Sequence, residues 1–330
     1  MMWTLGLFLL LTKLTLTLSG LLLGSAYLVL LERKLLGRMQ IRFGPNRAGP
    51  YGLLQPIADG IKLLLKEDTV PAAADGFIFK YAPALVALVP LLIVAVIPFG
   101  RDLSFQGRRI PMVFADLNVG LLYVLAVSSL SVYGVVLGAW ASNSKYSLLG
   151  SLRGAAQLVS YELPLALSLV PVVMMAGSFS LVDIVAAQAS CPFIVYQPLA
   201  GIIFLCAAVA EAKRLPFDLP EGENDLAAGY HTEYSGMRFT LYFLGEYMNM
   251  IVLGSLFAVF FLGGWHGPFL PPLLWFLIKV MLIPFFLIWS RASMPRPRYD
   301  QLMRLGWKLL LPAALLNIVL SSGLLLWMGG

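Results

Sequence analysis

Six carboxylates crowd into one short segment of the chain, at a spacing that suits proton exchange. Residues 211–238 read EAKRLPFDLPEGENDLAAGYHTEYSGMR, and the acids are Glu211, Asp218, Glu221, Glu223, Asp225 and Glu233. Clustered carboxylates repel one another, so the pKa of some of them rises and the group responds to any nearby charge. Apolar residues such as Phe217 and Leu219 are interleaved with the acids, which favours a packed segment over the alternative of a solvated acidic loop.

Further ionisable residues lie inside long apolar stretches. Glu162, Glu246 and Lys279 each occur within a stretch of predominantly hydrophobic sequence. A charged side chain at the centre of a bilayer costs at least ~2.5–3.5 kcal/mol, and such residues commonly mark ion or proton pathways. We therefore predict that the carboxylates handle protons. The alternative is structural ion pairing, for example between Lys279 and one of the glutamates.

Two arginine-rich loops could bind polar groups. Glu32-Arg33-Lys34 ends the first apolar stretch and is followed by a turn-rich segment, residues 38–50, that contains Arg42. Residues 291–301 form a second basic segment, with Arg291 and Arg296. Arginine suits a polar headgroup or the carboxylates of a partner, and the alternative is simple anchoring at the membrane surface.

Several kinds of chemistry lack their sequence signatures. There is no P-loop sequence and no dinucleotide-binding glycine motif after a strand. Cys191 and Cys206 alone cannot hold an iron–sulfur cluster, and the loop residues His231 and His266 do not form intramembrane haem pairs. We expect no metal site and no redox centre in this chain, so any electron transfer would depend on cofactors of its partners.

Composition identifies the class of protein that must position these residues. Of 330 residues, 59% are hydrophobic and 12% are charged, against about 25% charged in soluble domains. The mean hydropathy is +0.84. These values exclude a nucleic-acid-binding domain despite a pI near 9.3, and two cysteines exclude a disulfide scaffold. The first apolar stretch is too long for a signal peptide.

The apolar stretches predict an all-α polytopic membrane protein with about eight transmembrane helices. A spanning helix needs roughly 20 apolar residues. Eight stretches qualify, the fifth being short: about 5–31, 81–99, 117–141, 155–176, 193–210, 239–264, 270–289 and 308–328. We expect a single transmembrane domain over residues 1–330, with no second domain or linker.

The basic residues predict the orientation. Of the 23 Lys and Arg residues, 18 lie in four loops on one side: 32–80, 142–153, 211–238 and 290–308. The positive-inside rule places these loops in the cytoplasm and both termini on the non-cytoplasmic side. Within the first loop, Leu53, Ile57, Ile61 and Leu64 recur at helical spacing, which predicts an amphipathic helix over 51–68 at the membrane surface. It would serve either as a lipid anchor or as the wall of a cavity.

Four of these segments resemble one family. The sequences ERKLLGRMQIRFGPNRAGPYGLLQPIADGIKLLLKED, NSKYSLLGSLRGAAQLVSYE, EAKRLPFDLPEGENDLAAGYHTEYSGMRF and RASMPRPRYDQLMRLGWK are similar to the H subunit of proton-pumping NADH–quinone oxidoreductase, respiratory complex I, known in mitochondria as NADH dehydrogenase subunit 1. The resemblance covers nearly the whole chain. The family's acidic segment often has Glu where this chain has Asp225 and Ala where it has Gly222.

The resemblance implies a function that the residues alone do not name. In that family the subunit anchors the redox arm, forms much of the chamber that ubiquinone or menaquinone enters from the bilayer, and begins the buried charged path that couples quinone reduction to proton pumping. It implies a subunit of the enzyme that binds quinone as substrate, with FMN and iron–sulfur clusters in partner subunits. The location implied is the bacterial inner membrane rather than an organellar one.

Individual residues are assigned by position. The resemblance places Glu32, Arg33, Arg291 and Arg296 at the quinone chamber, to which we add four neighbours: Arg42, Asp59, Lys62 and Phe217. The acidic path comprises Glu162, Glu211, Asp218, Glu221, Glu223, Glu233 and Glu246, to which we add Asp225 and Lys279. We expect reduction of the quinone to change the charge of the 211–233 carboxylates, and this change to pass through Glu162 and Glu246 to pump subunits.

Three other functions fit part of the pattern. The equivalent subunit of an energy-converting hydrogenase or ferredoxin-fed complex shares the ERK and PFD-x-PE-like motifs, but the complete GYHTEYSGMRF favours the quinone enzymes. An autonomous secondary transporter would need a matched pair of interrupted spans, which the sequence lacks. A passive scaffold for the redox arm would not need the buried glutamates.

Overall fold

The computed structural model describes residues 2–105, 108–222 and 227–329. The described helices, in chain order, are α1 (Met2–Met39), α2 (Gln55–Leu65), α3 (Gly76–Val94), α4 (Gly120–Ala141), α5 (Lys145–Ala176), α6 (Leu181–Ala187), α7 (Phe193–Tyr196), α8 (Pro198–Glu211), α9 (Gly236–Phe261), α10 (Pro272–Ser293), α11 (Tyr299–Arg304) and α12 (Leu311–Gly329). A π-helical turn, Leu305–Leu310, joins α11 to α12.

Seven helices in the described ranges are long and apolar enough to cross a membrane, which confirms a polytopic helical protein. They are α1, α3, α4, α5, α9, α10 and the continuous α11–α12 unit. The fifth predicted span corresponds to α7 and α8. The helix is interrupted at Gln197, whose backbone is not helical, so α8 has only 14 residues. It is shorter than the roughly 20 residues that a full span needs, so the count of eight stays a prediction.

The helices extend further into the basic side than hydrophobicity predicts. α1 continues to Met39 and α10 to Ser293, with Arg38 and Arg291 in their last turns. Basic side chains there stabilise the negative end of the helix dipole. α5 begins at Lys145, so most of the 142–153 segment, predicted as a loop, is helical.

A small hairpin on the opposite side was not predicted. Strands β1 (Leu103–Phe105) and β2 (Arg108–Ile110) pair antiparallel, with Ser104 opposite Arg109. The prediction of an all-α membrane protein is confirmed, and this hairpin of two three-residue strands is a local feature of the connection between α3 and α4.

The surface helix of the first basic loop is α2, which is shorter than the predicted 51–68. It begins at Gln55, and Pro56 occupies its first turn, where the missing N–H is harmless. The side chains of Ile57, Ile61 and Leu64 are 56%, 53% and 64% exposed on its outer face. Its other face contacts α1 and α9, so α2 closes a space between two spans.

Helix α9 lies at the centre of the bundle and is the most buried of the seven spans. It packs against α3, α10 and α1. A Cβ on Gly254 would lie 2.3 Å from the carbonyl oxygen of Val280 in α10, so only glycine permits this close approach. The first residues of α9, from Gly236, follow the basic loop 211–238, so this end of the helix lies where the ionisable residues meet.

Candidate functional site

Four segments that are distant in sequence bring charged residues together beneath the basic loops. The end of α1 supplies Glu32, the turn after α8 supplies Arg214, α9 supplies Glu246, and the end of α10 supplies Arg291. The residues Glu32, Arg214 and Glu246 are 3%, 7% and 6% exposed. Such burial is unfavourable for charges unless they are paired. We call these four residues the buried charge cluster.

Arg214 lies at the centre of this cluster. Its Nη1 is 3.5 Å from Oε1 of Glu32, and its Nη2 is 3.8 Å from Oε2 of Glu246. The guanidinium also stacks over the ring of Tyr247, with Cζ 4.4 Å from the ring centre. Glu32 forms a second ion pair with Arg291. One arginine thus bridges two carboxylates that would otherwise repel each other.

Two tyrosines complete the hydrogen bonding of the carboxylates. The hydroxyl of Tyr247 donates to Oε2 of Glu32 at 2.6 Å. The hydroxyl of Tyr230 donates to Oε1 of Glu246 at 2.5 Å and lies 3.4 Å from Oε1 of Glu221. Tyr230 therefore connects the membrane-embedded Glu246 to the acidic segment that follows α8.

The environment shifts the titration of the residues between α8 and α9. Burial, reinforced by the charge of Glu246, raises the pKa of Asp218 to about 6. Burial and the neighbouring Glu246 and Asp218 raise the pKa of Glu221 well above its ordinary value. Burial by itself would lower the pKa of Arg214, but the interactions with Tyr247, Glu32 and Glu246 are together larger and raise this pKa. Asp218 can therefore exchange protons near neutral pH, Glu221 holds a proton more tightly than an ordinary carboxyl group, and the arginine stays charged.

A polar cavity of about 310 Å³ opens beside the cluster. Its lining includes these residues: Glu32, Arg33, Arg214, Glu221, Tyr230, His231, Glu246, Tyr247 and Arg291. Guanidinium and hydroxyl donors thus face the same space as Glu221, the carboxyl group whose pKa is raised by burial. The cavity is suited to a small polar group that gains or loses protons.

A second cavity, of about 200 Å³, lies between α1, α2 and α9 and is mostly apolar. It is lined by residues such as Leu30, Leu63 and Leu244. Four residues line both cavities: Val29, Arg33, Phe243 and Tyr247. The two spaces therefore adjoin, with an apolar compartment at the surface helix and a polar one at the charge cluster.

The acidic residues continue from the polar cavity into the membrane. A narrow cavity of about 20 Å³ is lined by Glu246, Lys213 and Glu211, together with Ser131 and Asn249. This volume is large enough for a water molecule. Glu211 in turn lies close enough to Glu162 for their charges to interact.

The structure places the predicted chamber residues in different surroundings. Glu32, Arg33 and Arg291 line the polar cavity. Asp59 lines the apolar cavity, where its Oδ2 lies 2.7 Å from Nη1 of Arg33 and joins α2 to α1. These residues support the assignment to a common site.

Four other predicted residues line neither cavity. Arg42 and Lys62 are exposed, and Nε of Arg42 donates to Gln40 at 2.7 Å. The ring of Phe217 packs 5.9 Å from that of Tyr161. Arg296 lies behind the acidic turn, against Gly222. Because these four residues do not line either cavity, their assignment to the chamber stays a prediction.

The predicted proton-path residues likewise separate into groups. Asp218 is close enough to Glu246 and to the arginines Arg296, Arg291 and Arg214 for their charges to affect its pKa. Glu233 is half-buried and lines neither cavity. Glu223 and Asp225 lie outside the described residues.

Lys279 lies at the other end of α9, away from the cluster. Its Nζ donates to the carbonyl oxygens of Leu262, Gly264 and His266 at 2.6, 2.9 and 2.6 Å. The ammonium group of this intramembrane lysine therefore satisfies the carbonyl groups of the turn that follows α9. The sequence offered an ion pair between Lys279 and a glutamate as the alternative, but the described contacts of its ammonium group are with backbone carbonyl oxygens.

Sequence reasoning missed Arg214, Lys213, Tyr230 and Tyr247. The positive-inside rule treats the two basic residues only as cytoplasmic anchors, although Lys213 is 5% exposed and its Nζ lies 5.1 Å over the ring of Tyr230. A usable signal was present, because buried acids require buried counter-charges, and Lys213-Arg214 follows Glu211 after a single alanine.

Metal ligands do not cluster in the part of the chain that the structure describes. No three or more His, Cys, Asp or Glu residues there are placed to hold a metal ion. Cys191 and Cys206 are both free thiols. The side chains that line the polar cavity offer carboxylates, guanidinium groups and tyrosine hydroxyls.

Comparison with known proteins identifies the family of this chain. The family described as NADH dehydrogenase matches residues 12–322. An H subunit of NADH-quinone oxidoreductase from Syntrophobacter fumaroxidans is 64% identical over 327 residues, 99% of each chain. The H subunits from Geobacter metallireducens and Thermomicrobium roseum are 62% identical over 302 residues and 55% identical over 312, each match covering 92% of both chains. The chain belongs to the family of NADH–quinone oxidoreductase H subunits, which are membrane subunits of complex I.

Proposed function

We propose that this chain forms the quinone-access chamber of a proton-translocating NADH–quinone oxidoreductase. The observation that carries the proposal is the junction of an apolar cavity with a polar one at Val29, Arg33, Phe243 and Tyr247. A quinone has an apolar isoprenoid tail and a polar head, so it needs two compartments in this order. The apolar compartment borders α2, at the predicted membrane surface.

The polar cavity offers what the quinone head requires. Arg33, Arg214 and Arg291 carry N–H donors, which suit the carbonyl oxygens of a quinone. Reduction of the head takes up protons along with electrons. Glu221, whose pKa is raised by burial and by Glu246, is a proton-exchanging group in the wall of the same cavity.

The same contacts support a path for coupling. A change in the charge of Glu221 acts on Glu246 through Tyr230, and a change in the charge of Asp218 acts on Glu246 and Arg214 through space. From Glu246 the path leads through the narrow cavity to Glu211 and then to Glu162. We propose that this path carries the change in charge toward neighbouring subunits that translocate protons.

We assign electron transfer to partner subunits. FMN and iron–sulfur clusters are expected in the peripheral subunits, with quinone as the substrate that meets this chain. The bilayer is predicted to be a bacterial inner membrane, with the basic loops and the buried charge cluster on its cytoplasmic side. The names of the relatives support the assembly with other subunits of the oxidoreductase.

Filling the apolar cavity provides a direct test. Gly60 lines it, and no atom lies within 4 Å of the Cβ that a larger residue would carry there. Gly60→Phe should therefore place its ring in the cavity without disturbing α2. In the assembled complex we expect KM for a long-tailed quinone to rise about tenfold, equivalent to ~1.4 kcal/mol of binding. A short-tailed quinone should be affected less.

Gly20→Phe is the matched control, because Gly20 is an exposed glycine of α1 with equally open surroundings. It should leave both KM values unchanged. Equal KM values for the long-tailed quinone in the Gly60→Phe variant and the wild type would contradict the assignment of this cavity to the tail.

Gly222 provides a test of the acidic turn. A Cβ at this position would lie 2.1 Å from Nη2 of Arg296, so Gly222→Ala should push the guanidinium away. Arg296 holds the pKa of Asp218 lower than burial alone would set it, and its displacement should raise that pKa further. Because the proposed path requires Asp218 to release its proton, we expect the acidic limb of the pH profile of quinone reduction to move to higher pH.

The control for this change is Gly323→Ala, at an exposed glycine of α12 with no atom within 4 Å of the added Cβ. Its pH profile should match that of the wild type. An unshifted acidic limb in Gly222→Ala would show that Arg296 does not tune Asp218.

A further inference from the structure

Lys213 is a buried cation beside the carboxylates of the proposed path. It is 5% exposed, and its Nζ lies 5.1 Å from the centre of the Tyr230 ring. In the described part of the chain, the ion pairs of the buried charge cluster involve Arg214 and Arg291 and not Lys213. Burying an ammonium group is unfavourable unless it gains a polar partner, so we expect such a partner near this lysine.

The turn after α8 holds the backbone of Lys213 in an unusual conformation. Its φ is 51°, in the left-handed region that few residues other than glycine adopt. Gln157, which is fully buried in α5, fixes the turn on both sides, because its Nε2 donates to the carbonyl oxygens of Ala210 and Phe217, each at 2.8 Å. Strained backbone that its surroundings enforce is frequent at functional sites. The fold therefore sets where the side chain of Lys213 begins.

The narrow cavity of about 20 Å³ brings Lys213 together with two carboxylates of the path, Glu246 and Glu211. Glu246 lines both this cavity and the polar one, whereas Lys213 lines only the narrow one of the two. The charge of Lys213 acts on both carboxylates. Ser131 and Asn249 also line the space, so a water molecule there would have the roughly two to four polar partners that a buried water needs.

An ammonium group restricts how such a water molecule can be oriented. It has N–H donors and no acceptor, so a water bound to it accepts with its oxygen and keeps both hydrogens for other partners. The carboxylates that share the cavity, Glu246 and Glu211, are acceptors for those hydrogens. The neighbouring positive charge also disfavours an excess proton that stays on the water. A proton that arrives from one carboxyl group must therefore leave to the other in the same step.

We propose that Lys213 is a positioning residue for proton transfer from Glu246 to Glu211 through one water molecule in the narrow cavity. When Glu246 has received a proton from the polar cavity, it gives this proton to the water oxygen as the water gives one of its own to Glu211. Glu246 is left as a carboxylate and Glu211 as a carboxylic acid, while the water and the ammonium group are unchanged. The inference rests on the proposed coupling path and names the residue that organises one of its steps.

The test compares Lys213→Met with the wild type in the assembled complex, since methionine is of similar length but has no N–H donors. Lys213 lines neither cavity of the proposed quinone site, so KM for quinone should stay unchanged. We expect kcat to fall by about tenfold, less than the ~100-fold that follows loss of a donor to the reacting atoms themselves. Proton transfer should become rate-limiting, so the ratio of kcat in H2O to kcat in D2O should rise. A merely structural lysine would leave this ratio unchanged.

The matched control is Lys145→Met, because Lys145 is an exposed cation at the start of α5 that does not line the narrow cavity. It should match the wild type in kcat and in the isotope ratio. Wild-type values of both quantities in Lys213→Met would overturn the inference. If Glu221→Gln still lowers the rate in the same assay, that result leaves the proposed path standing, whereas full activity in both variants overturns the path and the inference together.

High-resolution cryo-electron microscopy of the wild-type complex provides a measurement that needs no variant. We expect one water density within about 3.2 Å of Nζ of Lys213 and at hydrogen-bond distance from a carboxylate oxygen of Glu246. A narrow cavity without water density, with Nζ paired directly to a carboxylate, would overturn the proposal. If Lys213→Met fails to assemble, this density decides.

Discussion

Replacing Arg214 with methionine should destabilise this subunit more than any other single change in the site. The arginine is 7% exposed and bridges Glu32 and Glu246, so its loss leaves carboxylates buried without their shared counter-charge. Removing one partner of a buried ion pair costs about 3–5 kcal/mol. We expect a marked fall in the thermal stability and yield of the assembled complex, measured by unfolding of the purified enzyme.

A second substitution distinguishes loss of charge balance from loss of packing. Glu32 keeps Arg291 as an ion-pair partner, whereas Glu246 keeps hydrogen bonds with Tyr230 and Glu221 but no other arginine at ion-pair distance among the described residues. Adding Glu246→Gln to Arg214→Met should therefore restore more stability than adding Glu32→Gln. Arg38→Met, at an exposed arginine near the end of α1, is the control and should leave stability unchanged. A single Arg214→Met variant as stable as the wild type would contradict the role of the charge cluster.

The amide variants Glu221→Gln and Asp218→Asn should have the largest effect on catalysis. The amides preserve the shape of the side chains and can accept a hydrogen bond, but they cannot exchange a proton. Loss of a positioned proton-transfer group lowers rates by about 100-fold at the lower end of its usual range. We expect quinone reduction by the assembled complex to fall by this order, with subunit composition unchanged.

The matched control is Glu67→Gln, at an exposed glutamate between α2 and α3. Its rates should equal those of the wild type in the same vesicles. Full quinone reduction together with full proton pumping in both Glu221→Gln and Asp218→Asn would eliminate these carboxylates from the coupling path.

The composition of the sequence and the spacing of its apolar residues were sufficient to predict a helical membrane protein. Apolar length predicts the spans, because the bilayer fixes how many residues a helix needs. The helical spacing of Leu53, Ile57, Ile61 and Leu64 predicts α2, although Leu53 lies before its first residue, Gln55. The ends of α1, α5 and α10 were less predictable, since these helices continue into polar sequence.

The contacts of the site could not be predicted in the same way. Glu32 meets Tyr247 across 215 positions and Arg291 across 259, and no local pattern encodes such separations. The acids of the 211–233 segment were recognisable because they contradict their basic surroundings. Arg214 was overlooked for the opposite reason, since a cation in a basic loop agrees with the positive-inside rule.

Lys279 shows that a charged residue within an apolar stretch does not always belong to the functional site. Its place within an apolar stretch predicts a functional charge, and the sequence offered an ion pair as the alternative. In the fold its ammonium instead satisfies three carbonyl groups where α9 ends. The sequence does not show which backbone carbonyl groups lack a hydrogen-bond donor, so the partners of Lys279 could not be predicted.

The central claim is that Glu221, beside the polar cavity, changes its protonation as the quinone is reduced. Redox-induced infrared difference spectroscopy of the assembled complex with bound quinone measures this directly, through the C=O band of a protonated carboxyl group. We predict a carboxyl difference band in the wild type and in Glu67→Gln that disappears in Glu221→Gln. An identical carboxyl difference spectrum in Glu221→Gln and the wild type would contradict the claim.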